Sequence, residues 1–225
     1  MLITTSRKLK LSFVLLVCVL IVKVTVGVVL NYTNYFPPVF ASGFLVGRES
    51  YFYTNYQWAF YTHIVSSPFT LVLGLLLLNE RFRVRHTKWH RFIGSVQVGL
   101  VLLLVSPSGF WMAFYAATGT VASVGFGSLA IATGVFSFLG WRSAVKRRFT
   151  EHRCWMWRCY LVLCSAVVLR LTAGLATVVG IEEDWPYPMA AWTSWLIPLA
   201  IYELVLFKKT RKRSAQLVSE SADAH

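Results

Sequence analysis

Two histidines, His90 and His152, occupy matching positions in two segments of similar sequence, residues 85–94 and 147–156. Each histidine follows a basic run, is itself followed by arginine, and opens a long apolar stretch. Neutral imidazole is the usual axial ligand of b-type haem, and such sites form between facing helices of a bundle. If both helices cross a membrane in the same sense, the two rings lie at one depth. The pair then predicts a haem b site with both histidines as iron ligands.

The same pattern is also typical of an anchor at the membrane surface. Trp89 and Trp155 lie beside the histidines, and aromatic and basic residues together mark the membrane–water interface. The sequence favours this anchor or salt-bridge interpretation over haem and leaves both open. A zinc site is weaker than either, because the sequence shows no cluster of three or four ligands.

Three ionisable residues inside apolar stretches indicate a second candidate site, since burying charge in hydrocarbon is costly. By helical rise, His63 lies about 9 Å and Arg170 about 15 Å inside the less basic, outer ends of their stretches. We expect both to face one cavity and to bind an anion or a quinone, although Glu49 or backbone carbonyls could pair with Arg170 instead. Glu203 lies near the opposite end. The sequence favours an ion pair between Glu203 and Arg158, and the alternative is that Glu203 binds a ligand.

The elements that position these residues are predicted from long apolar runs. The 225 residues are 56% hydrophobic and 14% charged, with a mean hydropathy of +0.59, which a soluble domain does not show. Crossing a bilayer takes about 20 residues, and the runs are continuous rather than alternating, as in helices rather than barrel strands. The sequence predicts an all-α transmembrane bundle of six helices, with spans near residues 9–30, 57–78, 91–115, 121–141, 154–180 and 191–207.

The net charge of +13 is gathered in alternate connections and in both tails. Most of the Lys and Arg residues fall at 7–10, 81–91, 142–153 and 208–213. The positive-inside rule therefore predicts that both termini are cytoplasmic. We expect these basic loops to contact anionic lipid headgroups, so the charge does not call for nucleic acid as a partner.

We expect a single transmembrane domain over residues 1–213, followed by a disordered cytoplasmic tail, 214–225. The long outer connection, 31–56, is rich in Tyr and Phe and is expected to lie over the bundle as a cap. Pro68 lies inside the second span and should kink it, which would open room beside His63.

Several of these residues fall into three short motifs. They are His63 followed by Pro68, His90-Arg-Phe-Ile-Gly94, and His152-Arg-x-Trp155-Met-x-Arg158 followed by Arg170. With these motifs, the chain over roughly residues 57–180 resembles a family of bacterial membrane proteins known as domain of unknown function two-three-zero-six. The resemblance implies a multi-pass protein of the bacterial inner membrane with no established activity.

These observations support three hypotheses of function. The most concrete is a small redox membrane protein that binds haem b or interacts with a quinone. A transporter of a small anionic solute is the alternative, with His63, Arg170 and Glu203 along its path. A structural partner without a ligand is the third. The sequence assigns no catalytic residue, and it does not resemble a hydrolase triad or a nucleotide-binding loop.

Overall fold

The protein is a bundle of membrane-spanning helices. The computed structural model describes residues 2–41, 43–180 and 185–222, and within these residues it contains helices and no strands. Six helical segments of the described chain are long and apolar enough to cross a bilayer, so the predicted six-span, all-α fold is confirmed. These spans, numbered one to six in chain order, are Val14–Asn34, Glu49–Leu78, Thr87–Ala113, Thr120–Val145, Phe149–Val179 and Pro186–Lys212.

Several spans are built from more than one helical piece. The α-helices are Leu2–Leu30, Glu49–Tyr51, Gln57–Leu78, Glu80–Arg85, Thr87–Leu100, Ser106–Ala113, Thr120–Val145, Phe149–Leu163, Ser165–Val179 and Pro186–Ala222. Wider π-helical turns occupy Phe52–Tyr56 and Val101–Val105, and 3₁₀ turns occupy Asn31–Asn34 and Gly43–Leu45.

The helix of span six extends well beyond its apolar part. It runs Pro186–Ala222, so the backbone of residues 214–222 is helical where the sequence predicted a disordered tail. Neither proline nor glycine follows Pro198 to end the helix. Residues 223–225 of that tail lie outside the described part of the chain.

The connection from residue 31 to 56 folds over the outer end of the bundle, the end remote from the basic loops. Leu45, Phe52, Tyr56 and Phe60 form a buried cluster at this end. Neighbouring rings pack edge to face, as between Phe52 and Phe60, whose centroids are 5.5 Å apart. This connection, called the aromatic cap below, is therefore packed against span two.

Span two receives side-chain hydrogen bonds from other segments. Pro68 has no N–H to donate to the carbonyl of Ile64, four residues earlier. The Tyr32 hydroxyl, at the start of the aromatic cap, donates to that carbonyl instead. The missing N–H of Pro68 thus leaves free the carbonyl that ties the cap to span two.

Two further bonds reach span two from spans three and five. The buried amide of Gln97 donates to the Thr70 carbonyl at 3.0 Å, and the Tyr160 hydroxyl donates to the Leu71 carbonyl at 3.1 Å. Gly74 makes room for this second bond, because a Cβ there would lie 2.5 Å from the Tyr160 ring. Span two is therefore joined by specific bonds to spans three and five.

Spans two, three and five are each irregular near mid-bundle. Span two contains Pro68, span three widens into the π turn Val101–Val105, and span five breaks at Cys164 between two helices. Such irregularities interrupt the close packing of straight helices and leave room for a cavity between them.

We predict that Gly74→Ala destabilises the protein and that Gly99→Ala does not. The added methyl at Gly74 meets the Tyr160 ring and should cost about 1–3 kcal/mol, as over-packing does. Gly99 has no neighbour within 4 Å of an added Cβ, so alanine there keeps or slightly raises stability. Thermal unfolding of the two purified variants checks this, and equal melting temperatures would contradict the packing described here.

We predict that both termini share the cytoplasmic side with the basic loops. Cysteine placed at Lys146, in a basic connection, should react with a membrane-impermeant maleimide only after the cells are permeabilised. Cysteine placed at Ala117, in the opposite connection, should react in intact cells. Both positions are exposed, so a reversed pattern would overturn the orientation rather than reflect burial.

Candidate functional site: a cationic cavity at the outer end of the bundle

A cavity of about 790 Å³ lies beneath the aromatic cap and between spans one to six. This volume is within the range of about 300–1,000 Å³ that is typical of small-molecule sites. Its lining is mainly apolar, with a few polar and charged side chains. Among the latter are Arg48, His63 and Arg170, so the cavity brings together both outer residues that the sequence singled out.

Arg48 is the most buried charged residue of the cavity lining. It is only 7% exposed, and its Nη1 donates to the carbonyls of Phe44 at 2.6 Å and Val46 at 3.2 Å. Its guanidinium lies 4.1 Å from the centroid of the Phe44 ring, a cation–π contact. The Nε atom is buried without a hydrogen-bond partner among the described residues. The cap therefore holds this cation in place and leaves its Nε donor without a partner.

Arg170 enters the same cavity from span five. Its Nη1 donates to the Ala166 carbonyl one turn earlier, at 3.0 Å. Tyr32 and Tyr35 are its electrostatic neighbours. A guanidinium has five N–H donors, so a single bond to its own helix leaves most of them available.

His63 is held by a serine of span three. Its Nδ1 lies 3.1 Å from the Ser108 hydroxyl, which donates to the Leu104 carbonyl at 2.5 Å. A hydroxyl has one proton to donate, so Ser108 accepts from His63, and Nδ1 carries the proton of the neutral ring. Gly109 allows this approach, since a Cβ there would lie 3.0 Å from the imidazole Cε1.

The described cavity lining contains no carboxylate to balance these cations. Neither Asp nor Glu is among the residues that line it, and neither arginine takes part in an ion pair within the described chain. Glu49, which the sequence offered as a partner for Arg170, is exposed and lies in none of those pairs. The acidic residues 182–184 of the sequence lie outside the described residues. The described cavity is therefore positively charged.

Three hydroxyl groups deep in the cavity are already bonded to backbone. Thr70 donates to the Ser67 carbonyl at 2.8 Å, Thr133 to Leu129 at 2.7 Å, and Ser106 to the carbonyl of Ala130 at 2.7 Å. Each such bond uses the donor of its hydroxyl. The deep end therefore offers mainly apolar contact, and the free donors lie nearer the cap.

Glu203 lies apart from this cavity. Both of its carboxylate oxygens accept from Arg158, from Nε at 2.5 Å and from Nη2 at 2.8 Å. The guanidinium also lies 4.5 Å from the centroid of the Trp155 ring. The ion pair that the sequence favoured is present, and it joins spans five and six near the basic end of the bundle. Glu203 is thus not grouped with His63 and Arg170.

His90 and His152 both lie at the basic end, where the sequence placed them. His152 is an electrostatic neighbour of His90, and its Nδ1 lies 2.8 Å from the Gly140 carbonyl. Nδ1 of His90 is buried without a partner among the described residues. Neither ring lines the outer cavity. The two candidate sites of the sequence are therefore separate places in the fold.

No three or more His, Cys, Asp or Glu side chains among the described residues are placed to hold one ion. The four cysteines are free thiols. A bis-histidine haem site needs only two protein ligands, so the absence of a three-ligand cluster among the described residues does not bear on haem ligation by His90 and His152.

Arg48 is the site residue that sequence reasoning missed. Its position in the sequence could have indicated this role, because Arg48 is a single arginine within an aromatic segment, at the end of the bundle where basic residues are scarce. Ser108 gave no such signal, since serine is common in spans and its role depends on the π turn before it.

Comparison with known proteins identifies one family. The model of the family described as predicted membrane protein (DUF2306), which has no known function, matches residues 60–206, more than half of the chain. Neither the curated proteins nor the solved structures contain a match.

Proposed function

The chain belongs to this family of membrane proteins of unknown function, and from that premise we propose that it binds a small organic anion in the outer cavity. Binding would be the loading step of transport across the membrane. We infer its location to be a bacterial inner membrane, from the resemblance of the His90, His152 and Arg170 motifs described above.

One observation carries this proposal. Two guanidiniums, Arg48 and Arg170, line one cavity whose described lining holds no carboxylate. Of the two, Arg48 is buried and Arg170 is exposed, and a buried cation is costly unless it is paired. Guanidinium groups bind carboxylate, phosphate and sulfonate groups through parallel N–H donors. An anion that brings its own negative charge would satisfy the unused donors of both residues.

The irregular spans supply the mobility that transport requires. Pro68, the π turn Val101–Val105 and the break at Cys164 all lie near the deep half of the cavity. Interruptions of this kind act as hinges in proteins that alternate between states. The Arg158–Glu203 pair at the other end would hold that end closed while the outer cavity loads.

We predict that benzenesulfonate, an anion at every accessible pH, binds the wild-type protein and that Arg170→Gln weakens this binding tenfold or more. The loss follows from removing a charge-assisted bond, worth about 1.5–3 kcal/mol. Since Arg170 makes one bond, to its own helix, the substitution should leave the fold intact. Calorimetry on the full chain in nanodiscs measures the affinity, and uptake into proteoliposomes measures transport.

Arg81→Gln is the matched control. It removes the same charge from an exposed position in a basic connection, so binding should be unchanged. Equal affinity of wild type and Arg170→Gln, or an equal loss in both variants, would rule out the outer cavity as the anion site. Binding without uptake would retain the site and remove transport.

A second candidate function, haem b ligation by His90 and His152, is favoured by one observation. The Gly140 carbonyl accepts the Nδ1 proton of His152, which leaves Nε2 as the free lone pair, as is usual for histidine that ligates a metal. His90 and His152 are electrostatic neighbours. A quinone that exchanges electrons with such a haem would be a redox alternative to the transported anion.

The absorption spectrum of protein made with ample haem decides this second candidate. A Soret band with sharp reduced α and β bands, lost in a His90→Ala, His152→Ala variant but kept in His86→Ala, would establish haem ligation. His86 is the control because it is an exposed histidine of the same basic connection. A flat visible spectrum would leave His90 and His152 as residues of the membrane surface.

A further inference from the structure

We infer that the ligand is an amphipathic anion, a single negative headgroup on an aliphatic chain, and this inference rests on the anion-binding function proposed above. It follows from the way charge and apolar surface are distributed along the cavity. The cavity is long in the direction of the spans, and its two ends differ in chemistry.

The cavity extends well below its charged residues. Along span two its lining runs from Phe60 to Leu71, about 16 Å by helical rise. Along span five it continues inward from Arg170 to Leu163, about 10 Å. A compact anion held at the arginine would leave this deeper space without contact.

Apolar side chains form the deep end. Leu71, Val105, Val162 and Leu163 are all buried residues of the lining there. The hydroxyls of Thr70, Ser106 and Thr133 in this part of the lining donate to backbone carbonyls. This end can therefore bury a hydrocarbon chain and offers little to a second charged group.

The free donors lie at the other end. Arg48 is more than nine-tenths buried, lines the cavity, and has an unpartnered Nε. Arg170 makes a single hydrogen bond within the described chain. A headgroup here and a chain directed toward the deep end would match both halves of the cavity. Carboxylate, phosphate and sulfonate headgroups share the chemistry these guanidiniums recognise.

The experiment compares methanesulfonate, butanesulfonate and octanesulfonate as competitors of benzenesulfonate bound to the full chain in nanodiscs. Empty nanodiscs measure how much of each sulfonate partitions into the lipid, and the free concentrations are corrected for that amount. Each methylene that becomes buried should tighten binding about fourfold. Ala166→Leu, one turn deeper than Arg170 and in the lining, should remove the gain with chain length while methanesulfonate still competes. Ala132→Leu, outside the lining, should keep the gain.

The outcomes separate this inference from the function on which it rests. Equal competition by all three sulfonates in the wild type, with Arg170-dependent binding intact, would overturn the amphipathic ligand and retain the anion site. Absence of Arg170-dependent binding of any sulfonate would overturn both. The wild-type series alone decides the inference if Ala166→Leu does not fold. Stronger competition by inorganic phosphate than by octanesulfonate would also contradict it and point to a compact anion.

Discussion

The carbonyl groups of span two around Pro68 are the constraint on which the rest of the structure depends. In a bilayer an unpaired backbone carbonyl has no water to bond, so a proline within a span requires a donor from elsewhere. Tyr32 supplies it at Ile64. Gln97 and Tyr160 donate to the next turns of the same helix. These bonds come from the cap, span three and span five, so three separate segments are tied to span two.

The cavity follows from this arrangement. Because Tyr32 bonds the cap to span two, Arg48 of the cap lies over the outer end of the bundle. There its guanidinium donates to a cap carbonyl and contacts the Phe44 ring. Because the Tyr160 ring packs against Gly74, span five is held close at its deep part. Its next helix begins after the break at Cys164 and carries Arg170 to the cavity wall. The fold thus brings residues from distant parts of the chain to one cavity, whose described lining carries two arginines and no carboxylate.

The sequence predicted the fold far better than the site. Continuous apolar runs are a strong signal, since membrane crossing requires both length and continuity, and all six spans were found from them. The shared cavity of His63 and Arg170 followed from counting helical rise, because depth in a span depends on sequence position alone. The position of Arg48 depends on how the aromatic cap folds. The aromatic residues of the cap follow no periodic pattern, so the sequence does not predict which helices Arg48 faces. The favoured ion pair of Glu203 with Arg158 is present, so the alternative in which Glu203 binds a ligand together with His63 and Arg170 has no support from their positions.

The distribution of ion pairs supports the anion-binding function proposed for the cationic cavity. The ion pairs of the described chain are Arg83–Glu80, Arg148–Glu151 and Arg158–Glu203. All belong to the basic end, where water and lipid headgroups could solvate arginine without help. Arg48, which is buried and has the greater need of a counter-charge, has none among the described residues. Stability alone would favour an apolar residue at such a position, because an unpaired buried cation costs free energy. Its retention inside a cavity large enough for a ligand is what an anion-binding site requires.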